Sequence, residues 1–169
     1  MSANQEILHE NALHYIHEFK EWGGADSIKW QLRSERHYPR HYHSKTPLLI
    51  NGSFHEGLYL ELHYKPSILS GVKPAFSVSL MLRGARLLGL DAGRASSHLN
   101  RVGVTEEHYR QTISHPHLHR VVADALSGYA EPLPDSELED LWEDFLLHAS
   151  LSDAPALNLP EQEQIGSLL

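Results

Sequence analysis

The 169-residue sequence contains no cysteine, and this absence removes several kinds of chemistry. Disulfides, thiolate nucleophiles and cysteine-ligated zinc or iron–sulfur centres are excluded. The sequence also lacks an apolar run of about 18 residues, so we expect no membrane-spanning helix. Its first residues carry neither the basic nor the apolar region of a secretory signal. These absences predict a cytoplasmic protein with no membrane partner.

Positive charge is scarce at both ends of the chain. Residues 1–26 contain one Lys and five acidic residues, and residues 121–169 contain eleven acidic residues and neither Lys nor Arg. The other thirteen Lys and Arg lie in residues 27–120, together with ten of the fourteen histidines. A basic, histidine-rich centre can attract phosphate groups, although acidic ends that pack beside it would neutralise it.

Hydrophobic periodicity predicts an α+β fold with one domain over residues 1–150. Apolar residues recur at helical spacing in an N-terminal helix (residues 2–20) and in a C-terminal amphipathic helix (residues 135–149). The predicted strands cover residues 27–33, 47–51, 57–64, 75–82, 85–90 and 115–122. Because most turns between them are short, we expect a single antiparallel sheet of about five or six strands.

Two segments are predicted to lie outside this regular structure. Residues 34–46 form a polar segment of cations, histidines and tyrosines, which is typical of a solvated loop or of a nucleic-acid contact. Residues 151–169 contain two prolines and few large hydrophobic side chains. We expect them to form a loosely attached acidic tail.

The motif that points most directly at chemistry is His-Pro-His-Leu-His at residues 115–119. Side chains two residues apart share one face of a strand, so His115, His117 and His119 would form a row. Pro116 suits a strand start or edge, which places His115 at the rim. An imidazole can bind a metal, hold a phosphate or transfer a proton near neutral pH. The candidate catalytic residues are His117 and His119, joined by His98 from the preceding loop.

Three functions are compatible with these residues. In a phosphoryl site without a cofactor, one imidazole is the nucleophile or base and a neighbour protonates the leaving oxygen. In a zinc-dependent hydrolase, His98, His117 and His119 would be the protein ligands and water the fourth. In the third interpretation, the chain is a non-catalytic interaction module or inhibitor that binds a protein partner through its acidic region, residues 121–169.

Arginines near the histidines are candidate substrate-binding residues, because guanidinium groups neutralise phosphate charge. The candidates are Arg94, Arg101 and Arg120. The expected ligand of such a site is nucleic acid or a nucleotide.

The segment Gln111-Thr112-Ile113-Ser114-His115-Pro116-His117-Leu118-His119 resembles the signature of the histidine-triad nucleotide hydrolases and transferases. The resemblance implies that His117 is the nucleophile and that His119 is a phosphate-binding or leaving-group partner. It also implies that Gln111 and Thr112 contact phosphate.

A longer resemblance covers residues 75–150. Its motifs are Leu88-Gly-Leu-Asp91-Ala-Gly93, Ser97-His98-Leu99-Asn100, His117-Leu118-His119 and Gly128-Tyr129-Ala130. In this order they resemble an uncharacterised family of small prokaryotic and phage proteins, some encoded beside toxin–antitoxin or defence genes. The resemblance implies that His98, substrate-binding Asn100, His117 and His119 belong to one site, with Asp91 nearby. We therefore expect a toxin–antitoxin or defence protein that binds or cleaves a phosphodiester, in RNA or a nucleotide.

Overall fold

A computed structural model describes residues 3–33, 40–93 and 97–160, with side chains from residue 9 onward. These residues form two helices and eleven strands. The helices are α1 (Ala3–His17) and α2 (Leu138–His148). The strands are β1 (Lys20–Trp22), β2 (Gln31–Leu32), β3 (Tyr42–Ile50), β4 (Ser53–Lys65), β5 (Ala75–Leu82), β6 (Ala85–Ala92), β7 (Ser97–Leu99), β8 (Thr112–Ser114), β9 (His117–His119), β10 (Ala130–Pro132) and β11 (Leu151–Ser152).

Nine strands of the described chain form one large sheet. Its order is β10-β9-β6-β5-β4-β3-β1-β11, with β2 also paired to β3. Neighbours are antiparallel except β1 and β11, which are parallel, so the sheet is mixed. Strands β7 and β8 form a separate two-stranded sheet. The predicted α+β fold with a single antiparallel sheet of five or six strands is therefore wrong, and the molecule is dominated by β-structure.

The error has a physical cause in strand length. Strands β3 to β6 span eight to thirteen residues, enough for alternating hydrophobicity to show in the sequence. Strands β1, β10 and β11, which were not predicted, have only two or three residues, too few to show a period. The predicted strand 27–33 is present only as the two residues of β2. The predicted polar loop 34–46 also ends too late in the sequence, because β3 already begins at Tyr42. Residues 34–39 lie outside the described residues.

One face of the sheet is apolar and supports the core. Leu60, Leu62, Val78, Leu80 and Leu90 alternate with polar residues along β4, β5 and β6, and each is fully buried. Both helices contribute buried side chains to the same cluster. The core therefore lies between the sheet and the helices, and the polar side chains of the central strands project from the opposite face.

Helix α2 contributes the largest side chain of the core. The Trp142 indole is fully buried and packs edge-to-face on Trp22, with ring centroids 6.4 Å apart. Its Nε1 donates a hydrogen bond to the carbonyl of Pro155 (3.0 Å). Asn158 also exchanges hydrogen bonds with the backbone of Ile28. Residues 151–160 are thus attached to the body, where the sequence predicted a loose tail; residues 161–169 lie outside the described chain.

In the ranges 3–33, 40–93 and 97–160, neither helix has the length and apolar character that crossing a bilayer requires.

Replacing Trp142 by alanine should lower the free energy of unfolding by about 3–5 kcal/mol, because the truncation leaves a large cavity in the core. Leu147→Ala on the same helix is the matched control, since Leu147 is 80% exposed and should change stability by less than about 0.5 kcal/mol. Urea unfolding monitored by circular dichroism measures both. Equal losses in the two variants would contradict this account of the core.

The buried ammonium of Lys20 predicts a second effect on stability. It donates hydrogen bonds to the carbonyls of Tyr15, Ile16 and Glu18 at the end of α1. Burial lowers the pKa of Lys20 from 10.5 to about 8, against the opposing charge of Glu18. Between these values the unfolded chain binds more protons, so the free energy of unfolding should rise as the pH increases from 8 to 10.5. The variant Lys20→Met should lack this rise in urea titrations across that range, and parallel profiles would contradict it.

Candidate metal centre

The polar face of the sheet brings together residues that are distant in the sequence. In the strand register, His63 lies opposite Ser77, Ser77 opposite Asp91, and Asp91 opposite His117. Residues directly opposite in neighbouring strands project from the same face. These four side chains therefore form a continuous row across β4, β5, β6 and β9. His119, two positions after His117, lies in the adjacent row opposite Gly89.

Three potential ligand atoms converge on this face. His117 Nε2 and His119 Nε2 are 3.0 Å apart. Asp91 Oδ2 is 3.6 Å from the first nitrogen and 3.1 Å from the second. His117 is almost fully buried, whereas the side chains of His119 and Asp91 are 19% and 23% exposed. Among the described residues, this is the one set of three or more His or acidic side chains close enough to share a metal ion.

The three distances match one ion. A point equidistant from atoms separated by 3.0, 3.1 and 3.6 Å lies about 1.9 Å from each, so an ion at the usual zinc distance of about 2.0–2.1 Å sits just off their plane. Two imidazoles and a carboxylate are a donor set that zinc accepts in catalytic sites, with a further position left for water. The residues present therefore fit a divalent transition metal.

The hydrogen bond at the other nitrogen of His117 favours the ligand role. Nδ1 donates to the carbonyl of Ser114 (3.1 Å), and because a carbonyl only accepts, the proton is fixed at Nδ1. The neutral ring then presents an unprotonated Nε2 to the centre. Metal-bound histidines in proteins are commonly oriented by this type of contact. Burial lowers the pKa of His119 against the opposing effect of Asp91, which favours the neutral imidazole.

Arg86 holds the carboxylate in place. Its Nη2 donates to Asp91 Oδ1 (2.8 Å) and its Nη1 lies 3.3 Å from Oδ2, while its Nε donates to Ser79 Oγ (2.8 Å). Burial disfavours the charged form of Asp91, but the hydrogen bonds and positive charge of Arg86 favour it, and the pKa of the carboxyl lies well below its usual range. The guanidinium fills the space above Gly89, where a Cβ would lie 2.0 Å from its Nε. Glycine is therefore required at this position for the Arg86–Asp91 contact.

Two further histidines flank the three ligand residues. The ring of His98 lies 4.8 Å from that of His119, and the ring of His115 lies 4.6 Å from that of His117. His98 Nε2 donates to the carbonyl of Gly128 (2.8 Å), which leaves Nδ1 as the acceptor in the neutral ring. The structure thus brings His98, His115, His117 and His119 together, but the third candidate ligand is Asp91, where the sequence predicted His98.

The predicted substrate-binding residue Asn100 is fully buried. Its amide nitrogen donates to the carbonyls of His108 (2.9 Å) and Ala130 (2.8 Å), and its Oδ1 accepts from the Ala130 N–H (2.8 Å). Every polar atom of the side chain is engaged by backbone. Asn100 therefore fastens the 100–111 loop to β10 and presents no group to a substrate.

The other predicted substrate-binding residues are not gathered around the ligand atoms. Arg120 donates to Glu131 and Glu106, at 2.8 Å each, and lies over the ring of Tyr129. It borders a cavity of about 140 Å³ that His98 and His119 also line. Three of the predicted substrate-binding residues are exposed to solvent: Arg101, Gln111 and Thr112. Arg94 lies outside the described residues.

Arg86 and Gly89 were not predicted as parts of the site. Arg86 follows a hairpin turn, and a register shift between β5 and β6 brings it to the polar face. The position of Asp91 did carry a signal, since a carboxylate in the apolar run of β6 needs a polar partner. Gly89 and Asp91 lie two positions apart in β6 and therefore share one face. This spacing could have predicted that both lie beside the strand that contains His117 and His119.

The acidic residues predicted as a protein-binding surface lie largely on the solvent side of α2. Glu139, Asp140 and Glu143 are exposed, and Asp144 is close to His148 (3.7 Å). Binding of a basic partner there stays a prediction.

Comparison with known proteins identifies no relative: no family model, curated protein or solved structure matches the chain. The two resemblances stated from the sequence therefore stay predictions.

Asn100→Ala should lower the free energy of unfolding by about 1–3 kcal/mol, because it leaves the buried Ala130 N–H without its acceptor. The zinc content of the folded protein should stay unchanged, since Asn100 contacts no ligand atom. Arg101→Ala, at the exposed neighbouring position, should change stability by less than about 0.5 kcal/mol. Thermal unfolding together with metal analysis tests this, and a stable Asn100→Ala protein that has lost a ligand-binding property would contradict the structural role.

Proposed function

We propose that the protein is a metal-dependent phosphodiester hydrolase whose ion, zinc as the first candidate, is bound by Asp91, His117 and His119. The observation that carries the proposal is the convergence of Oδ2 and two Nε2 atoms within 3.0–3.6 Å of one another. The proposal keeps the phosphodiester chemistry that the sequence predicts and replaces its metal-free mechanism. It includes the predicted cytoplasmic location.

An ion in this position would supply Lewis-acid activation of a water molecule, as catalytic zinc with three protein ligands does. In the hydrolysis, the water oxygen forms a bond to phosphorus and the bond between phosphorus and the leaving oxygen breaks. The proton lost by the water ends on the leaving oxygen, so the products are a phosphomonoester and an alcohol. Neither an oxidant nor a second substrate is needed.

His98 is suited to carry that proton. Its Nε2 is committed to the Gly128 carbonyl, and the unprotonated Nδ1 of the neutral ring can accept a proton from water and return it to the leaving oxygen. The ring is only 4.8 Å from that of His119, between centroids. We therefore assign His98 the acid–base role, which agrees with its selection as a candidate catalytic residue from the sequence.

The two arginines nearest the ligand atoms are already paired with acidic side chains. Arg86 is paired with Asp91, and Arg120, which borders the cavity next to His98 and His119, is paired with Glu106 and Glu131. We assign neither guanidinium to the substrate, and the phosphodiester is the substrate class that the histidines predict. A toxin–antitoxin or defence role would be one use of such an activity and belongs to the proposal.

The test combines metal analysis with turnover. Protein purified without a histidine tag, given one equivalent of zinc and desalted, should retain about one zinc per chain, because three ligands hold the ion. Each of the variants His117→Ala, His119→Ala and Asp91→Ala should lose the ion. Each should also lower the rate of hydrolysis of bis(p-nitrophenyl) phosphate or an RNA oligonucleotide by more than about 100-fold, because loss of a residue that only hydrogen-bonds to a metal ligand already lowers activity about 10–100-fold. His148→Ala, at the end of α2, is the control.

Two results would overturn the proposal. One is the absence of retained metal in wild-type protein, tested with zinc, manganese and iron(II). The other is hydrolysis that persists at the wild-type rate after chelation or in the ligand variants. Hydrolysis that needs the histidines but no metal would restore the metal-free phosphoryl site.

A further inference from the structure

A cleft of about 520 Å³ opens on the polar face of the sheet beside Asp91. Asp91 and His115 line one side of it, and Arg33, His41 and Lys65 line the other. Its volume is in the range of about 300–1,000 Å³ that is common for small-ligand sites. Through Asp91, the candidate metal centre therefore adjoins a space that a substrate group can occupy.

The strand pattern explains why the cleft forms there. Lys65 lies two positions from His63 in β4, opposite Ala75, so it belongs to the next row on the same polar face. His41 and His115 lie just outside β3 and β9 and line the same cleft. The middle of the cleft is the start of β5, where the side chains of Ala75 and Ser77 are small. The larger side chains of Lys65 and Asp91, on the strands that flank β5, extend further from the sheet and form the sides of the cleft.

The far wall of the cleft is positively charged. The backbone N–H of Arg33 donates to the carbonyl of His41 (2.8 Å), which fixes Arg33 beside β3. Within residues 3–33, 40–93 and 97–160, neither Arg33 nor Lys65 forms an ion pair with an acidic side chain, in contrast to Lys45, Lys73, Arg86 and Arg120.

The histidines of this wall are neutral hydrogen-bonding groups. His41 Nε2 and His63 Nδ1 are 2.9 Å apart. Burial and the charges of His63, Lys65 and Arg33 lower the pKa of His41 to about 4. The wall thus combines two cations with a neutral imidazole pair, which is a suitable environment for an anion.

We propose that the Arg33–His41–Lys65 wall binds a phosphate group of the substrate next to the linkage that is hydrolysed at the metal centre. The inference rests on the proposed function and deepens it, because it makes the substrate an oligonucleotide with a phosphate adjacent to the scissile one. Arg33 can hold phosphate oxygens in a bidentate contact, and Lys65 adds a point charge. An isolated diester would leave this wall empty.

Direct binding tests the wall separately from catalysis. Inorganic phosphate should bind zinc-loaded protein in calorimetry, and the double variant Arg33→Ala/Lys65→Ala should weaken binding by at least about 10-fold because it removes two charge-assisted contacts. Lys45→Ala is the matched control, since Lys45 lies on the same face but pairs with Glu61 (3.6 Å). His119→Gln, which removes a metal ligand but keeps a polar side chain, should retain phosphate binding.

Turnover tests the substrate class. Dinucleotides with a 5′-phosphate, with a 3′-phosphate and without a terminal phosphate should be compared in wild-type protein. One phosphorylated form should be cleaved with a kcat/KM at least about 10-fold above that of the bare dinucleotide, the advantage expected from one added charge-assisted contact. Arg33→Ala/Lys65→Ala should erase this advantage while leaving cleavage of the bare dinucleotide and the zinc content unchanged.

The outcomes separate the two proposals. Equal cleavage of all three dinucleotides, or phosphate binding that is lost in His119→Gln and unchanged in Arg33→Ala/Lys65→Ala, would overturn the phosphate wall and leave the metal-dependent hydrolase standing. Phosphate binding that depends on the wall, in protein that retains no metal and cleaves no diester, would instead overturn the proposed function.

Discussion

The pairing of β6 with β9 is the contact on which the rest of the candidate site depends. It places Leu90 opposite Leu118 on the apolar face, where both are fully buried. The same register necessarily places Asp91 opposite His117 on the polar face. A shift by one residue would exchange the two faces and bury charge in the core. The hydrophobic core therefore fixes the geometry of the ligand atoms.

The sequence predicts the long strands and the composition of the site better than its arrangement. Alternation along β4, β5 and β6 is regular, and parity alone shows that His117 and His119 share a face. The partner of β9 could not be predicted, because this strand has three residues and is separated from β6 in the sequence by residues 93–116, which include β7 and β8. For that reason His98 was expected in the ligand position that Asp91 occupies.

Asn100 and Arg120 show where residue type alone is insufficient. A polar side chain near a histidine motif can contact a ligand or hold a loop in place. The same residue types serve both roles, so residue type does not distinguish them. Burial and partners decide between them: Asn100 is engaged entirely by backbone, and Arg120 is shared between two glutamates. Arg33 and Lys65, in contrast, lie far from the motif in sequence and reach its cleft only through strand order.

X-ray absorption at the zinc K-edge of stoichiometrically loaded protein tests the central claim most directly. The account predicts two imidazole nitrogens at about 2.0–2.1 Å, with the remaining positions filled by oxygen, whereas His119→Ala should not retain stoichiometric zinc. A spectrum with no imidazole scattering, or a His119→Ala protein that retains zinc with the wild-type spectrum, would contradict the metal centre formed by Asp91, His117 and His119.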